Sequence, residues 1–206
     1  MHPRSTGSRI TALLIGLVLY GVAVGFIVQA EVGVGPWDVL SQGISRHTGL
    51  LFGVVTNLIG ALLLLLWIPL RQRPGIGTLL NVLLVGSAAQ VVLWTVPTPG
   101  LLVEQIGMFV LGLVLLAVAT GIYVGAGYGP GPRDGLMTGI TSRYGWPIWL
   151  SRSTVELTAL ALGALMGGNV GVGTIAFALL VGPLCHLTIP LFARRLPPVA
   201  VPAVVG

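Results

Sequence analysis

Two aspartates in this chain sit in the same local motif, ninety-six residues apart. Gly33-Val34-Gly35-Pro36-Trp37-Asp38 returns as Gly129-Pro130-Gly131-Pro132-Arg133-Asp134. Proline at the first helical position needs no N–H donor, and an acid two residues later meets the positive end of the helix dipole. Gly49 and Gly145 then suit C-terminal caps. The motifs therefore predict two short helices, Pro36–Thr48 and Pro132–Tyr144. Each would be about 20 Å long, too short to cross a bilayer. Two placements are open. Either helix lies flat at the interface with Asp38 and Asp134 as plain helix-start carboxylates, or each is a re-entrant half-helix whose unpaired N–H groups face a cavity.

A second constellation is Arg152 and Glu156, four apart and so on one helix face. The uncharged run from Glu156 to Gly167 is too short to span, so its helix must begin near Pro147 and carry both charges into the membrane. Glu156 would then lie roughly 13 Å deep. An intramembrane charge faces a partner or a watery cavity. Arg152 and Glu156 are thus either a self-neutralised pair joining helices or a substrate or proton site. Asn57 aligns with Ser153, and Gln90 with His186. Interhelical hydrogen bonding is the default for Asn57, Asn81 and Gln90, while Asn81 and His186 are also candidates for secondary polarity in a pathway. His186 is a single histidine, which is weak evidence for a proton relay. Gly75-Ile76-Gly77-Thr78 and Gly171-Val172-Gly173-Thr174 read as close-packing sites, with pathway-lining threonines as the alternative. Cys185 is the one cysteine, and His2, His47 and His186 are dispersed, so no metal site and no cofactor is expected.

The elements that position these residues follow from a duplication. Residues 16–86 align without a gap on 112–182, with 26 of 71 pairs identical. Apolar residues make up 55% of the 206-residue chain and charged residues 7%, which excludes a soluble domain. Turn signals divide the uncharged runs into helices near Ile10–Ala30, Leu50–Leu70, Ile76–Val96, Ile106–Ala126, Pro147–Met166 and Val172–Leu191. Three spans per repeat would insert the second half upside down. With the N-terminus inside, nine of the ten arginines fall on the cytoplasmic side, Arg46 being the exception. The +5 charge is thus topological, and no nucleic-acid partner is expected. The N-terminus resembles a signal peptide up to Val28-Gln29-Ala30, but its apolar run is too long for cleavage.

The strings Gly35-Pro36-Trp37-Asp38-Val39-Leu40, Pro74-Gly75-Ile76-Gly77-Thr78-Leu79-Leu80-Asn81 and Gly129-Pro130-Gly131-Pro132-Arg133-Asp134-Gly135-Leu136-Met137 resemble the bacterial YczE-like membrane proteins of the YczE/YyaS/YitT group. The resemblance covers roughly residues 10–192 and implies a bacterial inner-membrane protein. It carries no catalytic residues across.

The expected fold is all-α: one polytopic membrane domain of six transmembrane helices in two inverted three-helix repeats, with two short interfacial or re-entrant helices. Repeat one covers about 10–97, repeat two about 106–193, and 194–206 form a cytoplasmic tail. The expected function is a small-molecule or ion transporter or channel with its site at the repeat interface. Gly35, Pro36, Gly131 and Pro132 would build the helix starts, and Asp38, Asp134, Arg133, Arg152, Glu156, Asn81 and His186 the pathway. A non-transporting membrane scaffold is the alternative, and a homo-oligomer is compatible with either. An aspartyl enzyme using Asp38 and Asp134 is disfavoured, because inversion would place the two on opposite sides unless both loops re-enter deeply. P-loop, Rossmann and HExxH patterns are absent, so no enzymatic activity is expected.

Overall fold

The computed structural model describes residues 6–193; the tail at 194–206 lies outside them. Among the described residues the chain forms eight α-helices: α1 Thr6–Gln29, α2 Pro36–Thr48, α3 Phe52–Trp67, α4 Ile76–Thr95, α5 Leu102–Gly125, α6 Pro132–Tyr144, α7 Ile148–Leu165 and α8 Val172–Ala193. The first four helices recur as the last four, each starting 96 residues later. The recurrence extends to the left-handed backbone positions. Glu31, Gly33, Gly49 and Arg71 have positive φ, and so do their counterparts Gly127, Gly129, Gly145 and Gly167.

Helices α2 and α6 occupy the expected residues. Proline starts each one, and a left-handed glycine, Gly49 or Gly145, closes it. Four helices (α1, α4, α5 and α8) are long and apolar enough to cross a bilayer, or five spans if α2 and α3, bent by 117°, count as one. The sequence reading of six rested on longer third and seventh helices. Helix α3 stops at Trp67 rather than Leu70, because Ile68–Arg71 fold into a turn that buries Leu70. At 16 residues α3 measures about 24 Å. Helix α7 carries Arg152 and Glu156 within its 18 residues.

Helices α4, α1, α5 and α8 form a row in which each packs on the next. Backbone proximity holds the row together. A Cβ on Gly21 or Gly25 of α1 would strike Val85, Ala88 or Val92 of α4, and one on Gly121 of α5 would strike Thr188 or Phe192 of α8. The central pair runs antiparallel. Gly16 of α1 lies against Tyr123 of α5, and Gly112 of α5 lies against Ile27 of α1. Those contacts exchange under the 96-residue offset. Arg9 locks one end, donating Nε and Nη2 to Ala126 O at 3.1 and 3.0 Å and stacking over Tyr128.

Helices α3, α2, α6 and α7 form a second layer, with α2 on α7 and α3 on α6. Its core joins Trp37, Val55, Ile59, Leu63, Trp67, Leu70, Leu136 and Ala159. Many large apolar side chains face outward instead, including Leu58, Leu62, Leu65, Leu165, Val172 and Leu179. Outward leucine and valine in this number suit a hydrocarbon solvent rather than water.

The halves differ at one joint. Helix α3 packs closely on α4, with Gly53 pressed against Gly86. Gln90 Oε1 accepts the Gly53 N–H at 2.9 Å, and Asn57 bonds to Gly86 N, Leu83 O and Ser87 Oγ. The matching helices α7 and α8 barely touch. Trp149 stands where the first half has Gly53, and Ser153 and His186 replace the two amides. An indole cannot enter a contact that leaves no room for a methyl group. A groove of about 620 Å³ remains between α7 and α8, lined by Leu157, Leu160, Ile175 and Leu179 and edged by Ser153 and Glu156.

Candidate functional site

The two proline-started helices bring their N-terminal ends together. The loop before α2 turns at Gly33 and rests on the start of α8, where Gly173 N donates to Val32 O at 2.8 Å. The loop before α6 rests on the start of α4, where Gly77 N donates to Tyr128 O at 3.0 Å and Thr78 Oγ1 to Pro130 O at 2.8 Å. The Gly-x-Gly-Thr motifs thus serve backbone contact. Thr78 and Thr174 each accept the N–H of the glycine three residues before, at 3.2 Å. These hydroxyls are engaged in fixing the loops.

Fixed in this way, the first turns of α2 and α6 meet. Arg133 Nη2 lies 3.6 Å from Asp38 Oδ1, and its guanidinium sits 5.3 Å from the centroid of the Trp37 ring. Positions 37 and 133 are equivalent in the two repeats, so this stack marks the pseudo-two-fold axis of the duplication. Asp38 is 1% exposed. Its Oδ1 has an ion partner but no hydrogen bond, and the buried Trp37 Nε1, Ser41 Oγ and Thr56 Oγ1 also lack hydrogen-bond partners. The first turn of α6 is held by Trp67, whose Nε1 donates to Pro132 O at 3.0 Å while its ring lies against Gly135. In the mirrored contact Gly163 takes the place of Trp67 and lies against Val39 and Leu40.

Beside this meeting point is a cavity of about 70 Å³. Gly131, Pro132, Arg133 and Asp134 supply one wall, Asn81 and Val85 of α4 another, Thr56 and Asn57 of α3 a third, and Tyr20 and Tyr123 the base. The two tyrosines form an edge-to-face pair at 5.9 Å. Asp134 is open to this space, and no cationic nitrogen lies within 4 Å of it among the described residues. Arg152 and Glu156 pair with each other at 3.1 Å, as their spacing predicts, and lie within electrostatic reach of Asp134.

The structure therefore brings together Arg133, Asp134 and Asn81 with Gly131 and Pro132 at the cavity, and sets Asp38 against Arg133, whereas Gly35 packs on Phe177 and Pro36 lines the α7–α8 groove. Glu156 edges the α7–α8 groove, and Arg152 pairs with it. The structure does not bring in His186, which faces outward from α8 and lines neither cavity. Its repeat partner Gln90 is buried only because α3 packs on α4, and α7 does not repeat that packing on α8. Thr56, the repeat counterpart of Arg152, also lines the site, and Tyr20 and Tyr123 are site residues that the sequence did not single out. Their one signal is a polar atom on an otherwise apolar helix, which is too common to stand out. Among the described residues no three His, Cys, Asp or Glu side chains converge as a metal site.

Comparison with known proteins gives the family. A family model described as "Family of unknown function (DUF6198)" matches residues 7–190. An uncharacterised protein of Haemophilus influenzae is 36% identical over 185 residues, covering 90% of this chain and 85% of its own. The Bacillus subtilis uncharacterised membrane protein YczE is 35% identical over 184 residues, covering 88% and 86%. The B. subtilis uncharacterised protein YyaS is 28% identical over 185 residues, covering 88% and 92%. No solved structure matches significantly. An all-helical chain with several bilayer-length apolar helices, matched along nearly its whole length by these relatives, belongs to the DUF6198 family and is a YczE-like integral membrane protein.

Proposed function

We propose that this protein is a bacterial inner-membrane transporter or channel for a small solute, with its site where the starts of α2 and α6 meet. One observation carries the reading: the starts of α2 and α6 meet where Arg133 contacts buried Asp38, and the start of α6, with an open Asp134, lines a cavity beside that contact. Charges inside a membrane are expensive and commonly mark a substrate or ion pathway. Half-helices that begin at an internal site and end at the surface are a recurrent way to present backbone groups to a solute. In this reading α2 and α6 are re-entrant, and Thr48–Gly49 and Tyr144–Gly145, all exposed, are their outer ends. The antiparallel packing of the equivalent helices α1 and α5 supports two inverted repeats, with α3 and α7 completing six crossings. The arginine distribution supports cytoplasmic termini.

The test is flux. Proteoliposomes holding the full chain should dissipate an imposed sodium, potassium or proton gradient faster than empty vesicles, and Asp134→Asn and Glu156→Gln should slow that flux. Flux undiminished in both variants removes these carboxylates from the mechanism. No flux for any of the three ions, with a protein partner co-purifying in stoichiometric amount, favours the scaffold reading.

A further inference from the structure

The duplication allows each charged group at the dyad to be compared with its own counterpart. Asp38 and Asp134 are equivalent, and both occupy the third helical position of their helix. Each helix start gives its own aspartate the same partial positive charge, so the dipole does not distinguish them. Their other surroundings differ. Asp38 has the guanidinium of Arg133, held in place by the Trp37 ring. The residue equivalent to Arg133 is Trp37 itself, so the mirrored position offers Asp134 an uncharged ring. Of the five charged groups gathered here, Asp38 pairs with Arg133 and Glu156 with Arg152. Asp134 is the carboxylate left over.

The space beside it is lined by an unpartnered polar group. Thr56 is 7% exposed, lines the cavity and has no partner for Oγ1. A buried hydroxyl without a partner costs about 1–3 kcal/mol unless something occupies the space in front of it. Asn81 and the hydroxyl-bearing Tyr20 and Tyr123 add oxygens to a lining that also carries Ile59, Leu63, Val82 and Val85. A volume of about 70 Å³ admits an ion with one or two waters. Arg133 is engaged by Asp38 and does not invite an anion. Neutral oxygens with a single free carboxylate suit a weakly held monovalent cation rather than a transition metal.

We propose that the cavity at the start of α6 holds one small monovalent cation, with Asp134 as its counter-charge and Thr56 as an oxygen ligand. The inference rests on the reading of this cavity as the transport site, and it fixes the sign of the solute. A bound proton on Asp134 is the smallest case. The titratable and charged groups facing Asp134 are Arg133 on its own helix, Arg152 and Glu156 on α7, Tyr20 on α1, Tyr123 on α5 and Cys185 on α8.

Binding is measured without flux, so its outcome is independent of transport. The purified full chain in detergent is melted at constant ionic strength in N-methylglucamine chloride, with lithium, sodium, potassium or methylammonium chloride substituted, and across pH 5–8. One of these cations at about a hundred times its Kd should raise Tm by roughly 5–10 °C. The shift should vanish in Asp134→Asn and need at least about ten-fold more cation in Thr56→Val, whose similar shape preserves packing. A Tm that responds to pH alone, with that response lost in Asp134→Asn and kept in Glu156→Gln, identifies the proton. The proposal is overturned if no cation or pH change moves Tm, if the response survives Asp134→Asn, or if replacing chloride by larger anions moves Tm while the cations do not. Cation binding without flux would leave this site standing and remove the transporter; flux without cation-specific binding would do the reverse.

Discussion

Replacing Arg133 with Met removes the charge at the dyad while keeping an unbranched apolar stem. At 3.6 Å, and with an effective dielectric near 20, the Asp38–Arg133 attraction is roughly 5 kcal/mol before any desolvation cost. The cation–π contact with Trp37 adds up to about 2 kcal/mol in a desolvated site. Much of this offsets the cost of burying the two charges, so the pair's net worth is small. Removing one partner is another matter. Asp38 is 1% exposed, so Arg133→Met should destabilise the fold by about 3–5 kcal/mol. Asp38→Asn should cost less, about 1–3 kcal/mol, because the Arg133 side chain is 25% exposed and borders the cavity. The double variant should recover part of the larger loss, giving a coupling of about 2–3 kcal/mol. Reversible unfolding in mixed micelles of mild and denaturing detergent measures all four corners of the cycle. If Arg133→Met lies within about 0.5 kcal/mol of the parent, or the two substitutions simply add, the dyad contact does not hold the half-helices together.

Other perturbations follow from the same contacts. Gly135→Val places a side chain inside the Trp67 ring and should cost at least about 1–3 kcal/mol in the same assay. Gln90→Leu strands the buried Gly53 N–H and should cost about 1–3 kcal/mol, as read from the unfolding midpoint. Gly53→Trp copies the second half's residue into the first and should pry α3 from α4 with a comparable loss, whereas Trp149→Ala, at an outward position, should stay within about 0.5 kcal/mol. A disulfide trap between α7 and α8 should reach lower yield than one at the equivalent α3–α4 positions, because only the first pair is in close contact.

The short helices were legible to the residue because their signals are local. Pro36 and Pro132 fix a start, and Gly49 and Gly145 adopt a backbone conformation that ends a helix. The Arg152–Glu156 pair was legible for the same reason, being a spacing within one helix. The duplication was legible too, and its 96-residue offset carries over to every helix start. What escaped depends on tertiary approach. Trp37 reads as part of an apolar face with Leu40 and Ile44, and its ring does join that core, yet it also receives Arg133 across the dyad. The end of α3 was misplaced because Ile68, Pro69 and Leu70 are apolar in composition but form a turn. His186 inherited a role from Gln90 by alignment alone, and Gly53→Trp149 between the repeats breaks the packing that role needs.

The central claim is that α2 and α6 enter from opposite membrane faces and meet at Asp38 and Arg133. Thr48 and Tyr144 are equivalent, exposed and at the far ends of those helices. Single cysteines at these positions, in a Cys185→Ala background, can be labelled in intact cells and in inverted vesicles with a membrane-impermeant maleimide. The account predicts that Thr48→Cys reacts from the outside alone and Tyr144→Cys from the cytoplasmic side alone. Labelling of both from the same face would contradict it.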